Sequence, residues 1–112
     1  MSDQLPTGLA VNALVRLVDQ AGGSAMVLAR GDRDSGIVLL LVERRDGPPQ
    51  LFERGYGPDG RRAIVQVGPS DGDSGAVFDY WQRRRRSDPD LWVVEVNVAD
   101  AQRLAAETIF AD

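Results

Sequence analysis

The sequence predicts a small α+β domain in which helices pack on a mainly antiparallel sheet of about five strands. Apolar residues recur at helical spacing near the start of the chain and again in its last third, whereas strand-length apolar or alternating segments fill the region between. A chain of 112 residues with 43% hydrophobic content can form one core. We therefore expect a single globular domain over residues 1–112, with the element order α-β-β-β-β-α-β-α.

The first helix is predicted over residues 7–20. Its apolar residues fall at i, i+3, i+4 and i+7, the spacing of one buried helix face: they are Val11, Leu14, Val15 and Val18. Pro6 and Thr7 suit the start of a helix, and Gly22 and Gly23 suit its end. We therefore expect one amphipathic helix that packs on the sheet.

Four segments of strand length follow, each bounded by turn-forming residues: they span residues 24–30, 36–43, 49–54 and 62–67. The second is apolar on both faces, which is typical of a central strand covered on both sides. The third and fourth alternate, as a strand with one exposed face does. The Asp-Gly-Pro turn that begins at Asp46 joins the second and third, so we expect the strands to form an antiparallel meander.

A second helix is predicted after the loop at residues 68–75. Its apolar face comprises Val77, Phe78 and Trp81. Asp73 or Ser74 suits the N-cap, because a short side chain with an oxygen atom can accept a bond from a free helix N–H group. The helix should end near Arg86, because Pro89 disfavours helical angles in the residue before it.

A fifth strand and a third helix complete the predicted order. Residues 91–98 alternate, and one face is wholly apolar: it consists of Trp92, Val94, Val96 and Val98. Asp100 is a candidate N-cap for the last helix. The apolar residues of that helix, at helical spacing, are Ala101, Leu104, Ala105 and Ile109.

The composition excludes several kinds of chemistry. The chain has no Cys and no His, and all 13 of its basic residues are Arg. Without a thiol, an imidazole or a lysine amine, it can form no Cys or His nucleophile, no Schiff base and no ordinary zinc or copper site. The composition therefore favours a protein that is not an enzyme, and no cofactor or metal site is predicted.

Charge and hydropathy bear on location and partners. Acidic residues outnumber basic ones by 17 to 13, and the net charge of −4 repels nucleic acid at long range, so any nucleic-acid site has to be local. The first residues lack the basic and apolar regions of a signal peptide. The longest apolar run, residues 37–42, is far shorter than the ~20 residues of a membrane span. We expect a cytoplasmic protein with no membrane contact.

Two stretches of the chain resemble a known family. The first is the string RGDRDSG at residues 30–36, which leads into an apolar strand. The second is the run of arginines at residues 83–86 together with the string DPDLWVVEV at residues 88–96. In these strings the chain is similar to the bacterial domain-of-unknown-function family 1491, over roughly the first helix to Val98. The resemblance implies a bacterial protein with no assigned activity, substrate or catalytic residue.

The four successive arginines at residues 83–86 are the strongest local charge feature. On a helix, successive residues point about 100° apart, so the four cannot all serve one flat surface. At a helix C-terminus they complement the helix dipole. The functional alternative is a patch for phosphate or for an acidic partner, with Tyr80 and Trp81 as nearby stacking groups. Trp81 is assigned to the core, because it shares the apolar face of the helix.

Three Asp-x-Asp pairs stand in the predicted loops, and paired carboxylates suit Mg²⁺ or Ca²⁺. They are Asp32/Asp34, Asp71/Asp73 and Asp88/Asp90. Aspartate is also common in turns, where its carboxylate accepts bonds from nearby backbone N–H groups. We favour the turn interpretation, because the residues that follow Asp71 lack the Gly and Glu that a calcium-binding loop requires.

Chain topology is expected to bring the charged loops together. In an up-and-down sheet, with the second helix antiparallel to the strand after it, the loops at residues 31–35, 55–61 and 86–90 gather at one end. The candidate binding residues at this end are Arg30, Arg33, Arg61, Arg83, Arg84, Arg85, Arg86, Asp88 and Asp90. Mixed signs at one edge favour an ion-pair network or a charged docking surface over an active site.

Three functions remain open at this point. The leading hypothesis is a non-enzymatic protein-interaction module that binds a protein partner, or a second copy of the chain, through the charged loops or a sheet edge. The first alternative is a nucleic-acid-binding accessory domain in which residues 83–86, with Arg61 and Arg62, contact phosphates. The second is a Mg²⁺-dependent hydrolase with carboxylates drawn from Asp32, Asp34, Asp88 and Asp90.

Overall fold

All eight predicted elements form, in the predicted order. The computed structural model describes residues 5–70 and 73–111. The helices are α1 (Thr7–Gln20), α2 (Ser74–Ser87) and α3 (Ala101–Ala106), and the strands are β1 (Ser24–Ala29), β2 (Val38–Val42), β3 (Gln50–Tyr56), β4 (Arg62–Val67) and β5 (Trp92–Asn97). The α+β fold class is confirmed.

The five strands form one mixed sheet with the order β1-β5-β2-β3-β4. The predicted meander is correct for β2, β3 and β4, which pair antiparallel in succession, but it is wrong for β1. The fifth strand lies between β1 and β2, antiparallel to the first and parallel to the second. The physical reason is burial: β5 carries apolar side chains on both faces and requires the interior, whereas β1 exposes Met26 and suits an edge.

Helices cover both faces of the sheet. On one face α1 and α3 pack against a core cluster that includes Val38, Leu40, Phe52, Trp92, Val94 and Val96. On the other face α2 packs through Val77 and Trp81 on a second cluster that includes Leu39, Leu41 and Val93. Alternate residues of β2 therefore enter opposite cores, which confirms the prediction of a central strand covered on both sides. No helix among the described residues has the length and hydropathy of a membrane span.

Two local predictions are corrected by the structure. Phe78 is 51% exposed, because it lies one position beyond the buried stripe of α2; its ring packs against Trp81 in a T-shaped arrangement, with centroids 5.2 Å apart. The last helix ends at Ala106, so Ile109 is buried from the turn that follows and not from the helix. Asp100 stands at the N-cap, but its backbone is left-handed (φ 58°) and its side chain forms no capping bond.

Two glutamates lie side by side on the face of the sheet that α2 crosses. Glu95 follows Val93 on this face of β5, and Glu43 follows Leu41 on this face of β2. Partial burial, then a hydrogen bond with Glu43 and repulsion from it, raise the pKa of Glu95 above its usual range. The folded chain therefore binds a proton at Glu95 more readily than the unfolded chain does.

This proton linkage gives a first prediction. Because folding raises the pKa of Glu95, proton binding at this carboxyl stabilises the fold. The stabilisation is complete below the ordinary Glu pKa and is lost as pH rises through the raised pKa. Glu95→Gln should flatten this loss and stabilise the fold at neutral pH by about 0.3 kcal/mol, a small gain because water screens the pair. Urea denaturation from about pH 4 to pH 8 measures it. Asp19→Asn, on the exposed side of α1, is the control. Parallel pH profiles for the Gln variant and the unmodified protein would contradict the linkage.

Candidate functional site

Three loops lie at the same end of the sheet. The strand β1 ends there, β2 and β5 begin there, and the antiparallel β3 ends there. We call this region the loop end; it comprises residues 30–37, 57–61 and 87–91. The structure thus places the three loops where the sequence expected them, although the sheet order differs.

The first and third of these loops are bonded directly to each other. The Asp32 backbone N–H donates to the Asp90 carbonyl oxygen at 3.0 Å. The indole Nε1 of Trp92 donates to the Asp32 carbonyl oxygen at 2.7 Å. A Cβ atom at Gly31 or Gly36 would lie only 2.0 or 2.2 Å from the Asp90 carbonyl oxygen, so glycine is required at both positions. The two loops therefore form one rigid unit, backbone against backbone.

The Asp32 carboxylate organises the turn inside the first loop. It accepts hydrogen bonds from the backbone N–H groups of Asp34 and Ser35, at 3.1 and 2.9 Å, and from the Ser35 hydroxyl at 3.2 Å. The bonds from Ser35 and then from Asp34 lower the pKa of Asp32. This is the turn role of aspartate that the sequence analysis favoured.

The start of α1 holds the same loop from its other side. The N–H groups of Thr7 and Gly8 donate to the carbonyl oxygens of Asp34 and Arg33, at 3.1 and 2.8 Å. The Thr7 hydroxyl also donates to the Gly36 carbonyl oxygen at 3.1 Å. Two of the free N–H groups of the helix start are therefore used by the loop.

The other loop aspartates also serve their own turns. The carboxylates of Asp88 and Asp59 accept from the backbone N–H groups of Asp90 and Arg61, at 3.1 and 3.0 Å. Asp73 caps α2 by accepting from the Ala76 N–H group at 2.9 Å, as predicted, whereas its predicted partner Asp71 lies outside the described residues. Within residues 5–70 and 73–111, no three acidic side chains converge as a metal site requires.

The four arginines of α2 divide into an inner and an outer pair, as the helical spacing predicts. Arg84 forms a two-pronged ion pair with Glu53, and its guanidinium stacks over the Tyr80 ring at 5.9 Å. The bond to Glu53 raises the pKa of Arg84 further. Arg85 donates to the Arg30 carbonyl oxygen at 2.9 Å, and its Nε is buried without a hydrogen-bond partner among the described residues. Arg83 and Arg86 are exposed.

Two further arginines line a groove beside the start of α1. The groove has a volume of 410 Å³, and the residues around it include Leu9, Asn12, Arg30, Arg33, Asp34 and Trp92. The Arg30 guanidinium lies over the Trp92 ring, 5.4 Å from its centroid, which holds the charge at the groove wall. Arg33 is exposed, and Leu9 is 56% exposed at the rim. In the described part of the chain, neither arginine has a carboxylate within ion-pair distance.

The structure sorts the nine predicted site residues into three groups. Arg84, Arg85 and Asp88 bind other parts of the fold, whereas Arg30 and Arg33 share the groove. The rest have no side-chain partner among the described residues: they are Arg61 and Asp90 at the loop end, and Arg83 and Arg86 in the last turns of α2. The predicted ion-pair network does not form among the described loop charges.

Sequence reasoning missed Leu9 and Asn12. Leu9 lies off the apolar stripe of α1. A leucine outside the buried face of an amphipathic helix is a signal that could have indicated a binding surface. No comparable signal marked Asn12, whose place in the groove depends on the packing of the first loop against the helix start.

A larger cavity lies on the other side of the start of α1. It has a volume of 510 Å³ and is bounded by the start of β2 and the turn after α3. Leu5 and Ile37 are exposed beside it. Its cation, Arg54, donates hydrogen bonds to the carbonyl oxygens of Ile109 and Ala111 and so fastens that turn. The cations available for a ligand are therefore in the smaller groove.

The contact between the two loops gives a second prediction. Gly31→Ala places a methyl group against the Asp90 backbone, which cannot move without breaking the bond from Asp32. We expect a loss of about 2–3 kcal/mol in the free energy of unfolding, measured by urea denaturation. Gly47→Ala is the matched control, because its new Cβ would lie 3.5 Å from the nearest atoms, those of the Arg44 side chain. The prediction fails if the two variants are equally stable.

Comparison with known proteins agrees with this description. The model of a family of proteins of unknown function, DUF1491, matches residues 5–106 and confirms the resemblance expected from the two strings. A crystal structure of a family member from Caulobacter crescentus superimposes with a TM-score of 0.74 at 35% identity, covering 89% of this chain and 94% of that one. An NMR structure of a family member from the same organism gives 0.71 at 35% identity, with 92% and 94% covered.

A more distant neighbour has the same fold. The solution structure of a protein from A. tumefaciens superimposes with a TM-score of 0.72 at 27% identity, covering 90% of this chain and 92% of that one. No curated protein matches the chain at a significant level. The family model and the two neighbours at 35% identity agree, and the chain therefore belongs to the DUF1491 family of proteins of unknown function.

Proposed function

We propose that the protein is a non-enzymatic protein-interaction module of the bacterial cytoplasm, which binds an acidic segment of a partner protein in the groove beside α1. One observation carries the proposal. Arg30 and Arg33 stand at one groove whose rim exposes Leu9, and in the described chain neither forms an ion pair, although Asp34 lines the same groove. Such a groove suits a partner segment in which acidic residues flank an apolar one.

The two arginines are suited to carboxylates for a geometric reason. A guanidinium presents paired N–H donors that match the two oxygens of a carboxylate. Arg30 is held over Trp92, and Arg85 bonds to its carbonyl oxygen, so little freedom remains to be lost when a partner binds. The exposed Arg83 and Arg86 extend the positive charge of the loop end, and attract an acidic partner over a longer range.

A protein partner is favoured over nucleic acid because the groove offers no free aromatic face for a base, and the exposed rings of Tyr56 and Phe78 lie outside it. Trp92, which lines the groove, is only 2% exposed, and the Arg30 guanidinium lies over its ring. Binding of single-stranded nucleic acid relies on stacking onto such rings. Leu9 also offers an apolar contact that a protein segment can use.

A binding role is also favoured over metal-dependent hydrolysis. Of the four loop carboxylates that such a reaction would use, Asp32 and Asp88 accept bonds from their own backbone. In each of these two carboxylates one oxygen serves turn structure, and among the described residues no three acidic side chains converge as a metal site requires. The geometry thus supports recognition by the loop end and not catalysis.

The third prediction tests this groove. Tagged protein is recovered from native cytoplasmic extract at physiological salt, with and without nuclease, and bound proteins are quantified. The double variant Arg30→Ala with Arg33→Ala should recover at least about tenfold less of an acidic partner protein, because both carboxylate contacts disappear. The binding of this partner to the unmodified protein should survive nuclease treatment. The control is Arg44→Ala with Arg45→Ala, which removes the same charge from the exposed turn between β2 and β3, at the opposite end of the sheet.

Each outcome decides the proposal. Selective loss in the groove variant supports it. Equal recovery by both double variants contradicts it, and so does extract that yields no specific protein. Bound material that disappears on nuclease treatment points instead to nucleic acid and to the arginines of α2.

A further inference from the structure

The outer edge of β4 is open and regular. The strand is the last in the sheet order and pairs with β3 over all six of its residues without a bulge. An open edge presents backbone N–H and C=O groups that can pair with another chain. In the described residues no strand lies beyond this edge.

The backbone pattern shows which groups face outward. The Gly57 N–H donates to the Arg61 carbonyl oxygen at 2.8 Å, so residues 57 and 61 form a hydrogen-bonded pair of the β3–β4 hairpin. Such pairs alternate along an antiparallel ladder, and residues 63, 65 and 67 therefore bond to β3. The N–H and C=O groups of Ile64 and Gln66 point to the open side.

The opposite edge of the sheet is protected, which makes the contrast informative. The register of β1 against β5 shifts between Val27 and Ala29, where an extra residue interrupts the ladder. Such a bulge prevents edge-to-edge pairing. The β4 edge has no bulge, and residues 63–67 include no charge and no proline.

The side chains of this edge are also suited to contact. Ala63, Ile64, Val65 and Val67 are apolar and only half-buried. A shallow groove of 210 Å³ runs beside Ile64; Ala106 and Phe110 supply further apolar lining, and Arg54 and Arg62 supply charged lining. An added strand would therefore cover apolar surface as well as bond to the backbone.

We propose that the β4 edge pairs with the β4 edge of a second copy of this chain, antiparallel and centred on Val65. A twofold axis perpendicular to the sheet makes each face of one copy continuous with the same face of the other. With Val65 at the centre, Ile64 of one copy pairs with Gln66 of the other through their outward N–H and C=O groups. Val65 then faces Val65 of the second copy, and Ala63 faces Val67. Centring on Ile64 would bring Arg62 into the paired segment, whereas centring on Val65 leaves both Arg61 and Arg62 outside.

The dimer so formed has one continuous ten-stranded sheet. It uses a surface apart from the groove beside α1, and the proposal does not depend on the proposed function. Because five paired residues per chain make an interface below the standard size, the dissociation constant should be on the order of 100 μM.

The fourth prediction tests the pairing with a backbone variant. Gln66→Pro replaces an outward N–H and leaves every bond to β3 in place, since proline is tolerated on an open edge. Gln66→Thr is the matched control, because it keeps the N–H group. By sedimentation equilibrium, we expect the proline variant to dimerise at least about tenfold more weakly than the threonine variant.

Hydrogen exchange of the unmodified protein provides an independent test. The amides of Ile64 and Gln66 should become protected as concentration rises, while those of Ala63 and Val65 are protected throughout by β3. A monomer at about 1 mM would overturn the proposal, because the expected constant lies well below it. Dimers in which these two amides exchange at a rate independent of concentration would overturn it too, as would equal dimerisation of the proline and threonine variants. The groove variant Arg30→Ala with Arg33→Ala should dimerise normally, so the two proposals fail separately.

Discussion

The hydrogen bond from the Trp92 indole to the Asp32 carbonyl oxygen connects the core to the loop end. Trp92 is almost fully buried among the residues that α1 and α3 cover, and a buried indole N–H group needs an acceptor. The acceptor is a backbone carbonyl of the first loop, so the position of that loop is set from inside the domain. The ring that donates this bond also supports the Arg30 guanidinium on its face. One side chain thus fills the core, anchors a loop and orients a surface charge.

The two strings by which the chain resembles its family are joined by this contact. Asp32 belongs to the first string and Trp92 to the second, and 60 positions in the sequence separate these two residues. In the fold, the first loop nevertheless packs directly against Asp90. Gly31 and Gly36 are explained by the closeness of the two backbones, and Asp32 by the turn that its carboxylate closes. Gly31, Gly36 and Asp32 therefore have structural roles, and the proposed binding depends on the arginines of the first loop.

Local features of this fold could be predicted, whereas pairing between distant segments could not. The helical period of α1 and the double-sided apolar run of β2 are properties of short windows, and both appear as predicted. The place of β5 between β1 and β2 depends on which strands have the most apolar surface to bury. That can be judged only by comparing all of the strands, and not from a short window of sequence. The division of the α2 arginines followed from helix geometry, but the partner of Arg84, Glu53, is 31 residues away and no periodicity points to it. The groove depends on the packing of α1 against a loop, so only its arginines could be named in advance.

The central position of β5 has a consequence for how the chain acquires its structure. The strand β1 has only β5 as a neighbour, and the inner edge of β2 is likewise filled by β5. During synthesis, the β2–β4 hairpins can form from adjacent segments, while β1 has no strand to pair with until residue 97 has been made. Pairing of this kind closes a long loop late and is slow. Until β5 has been made, the nascent chain therefore carries an amphipathic helix and an unpaired strand, and chaperones protect exposed apolar segments of this kind.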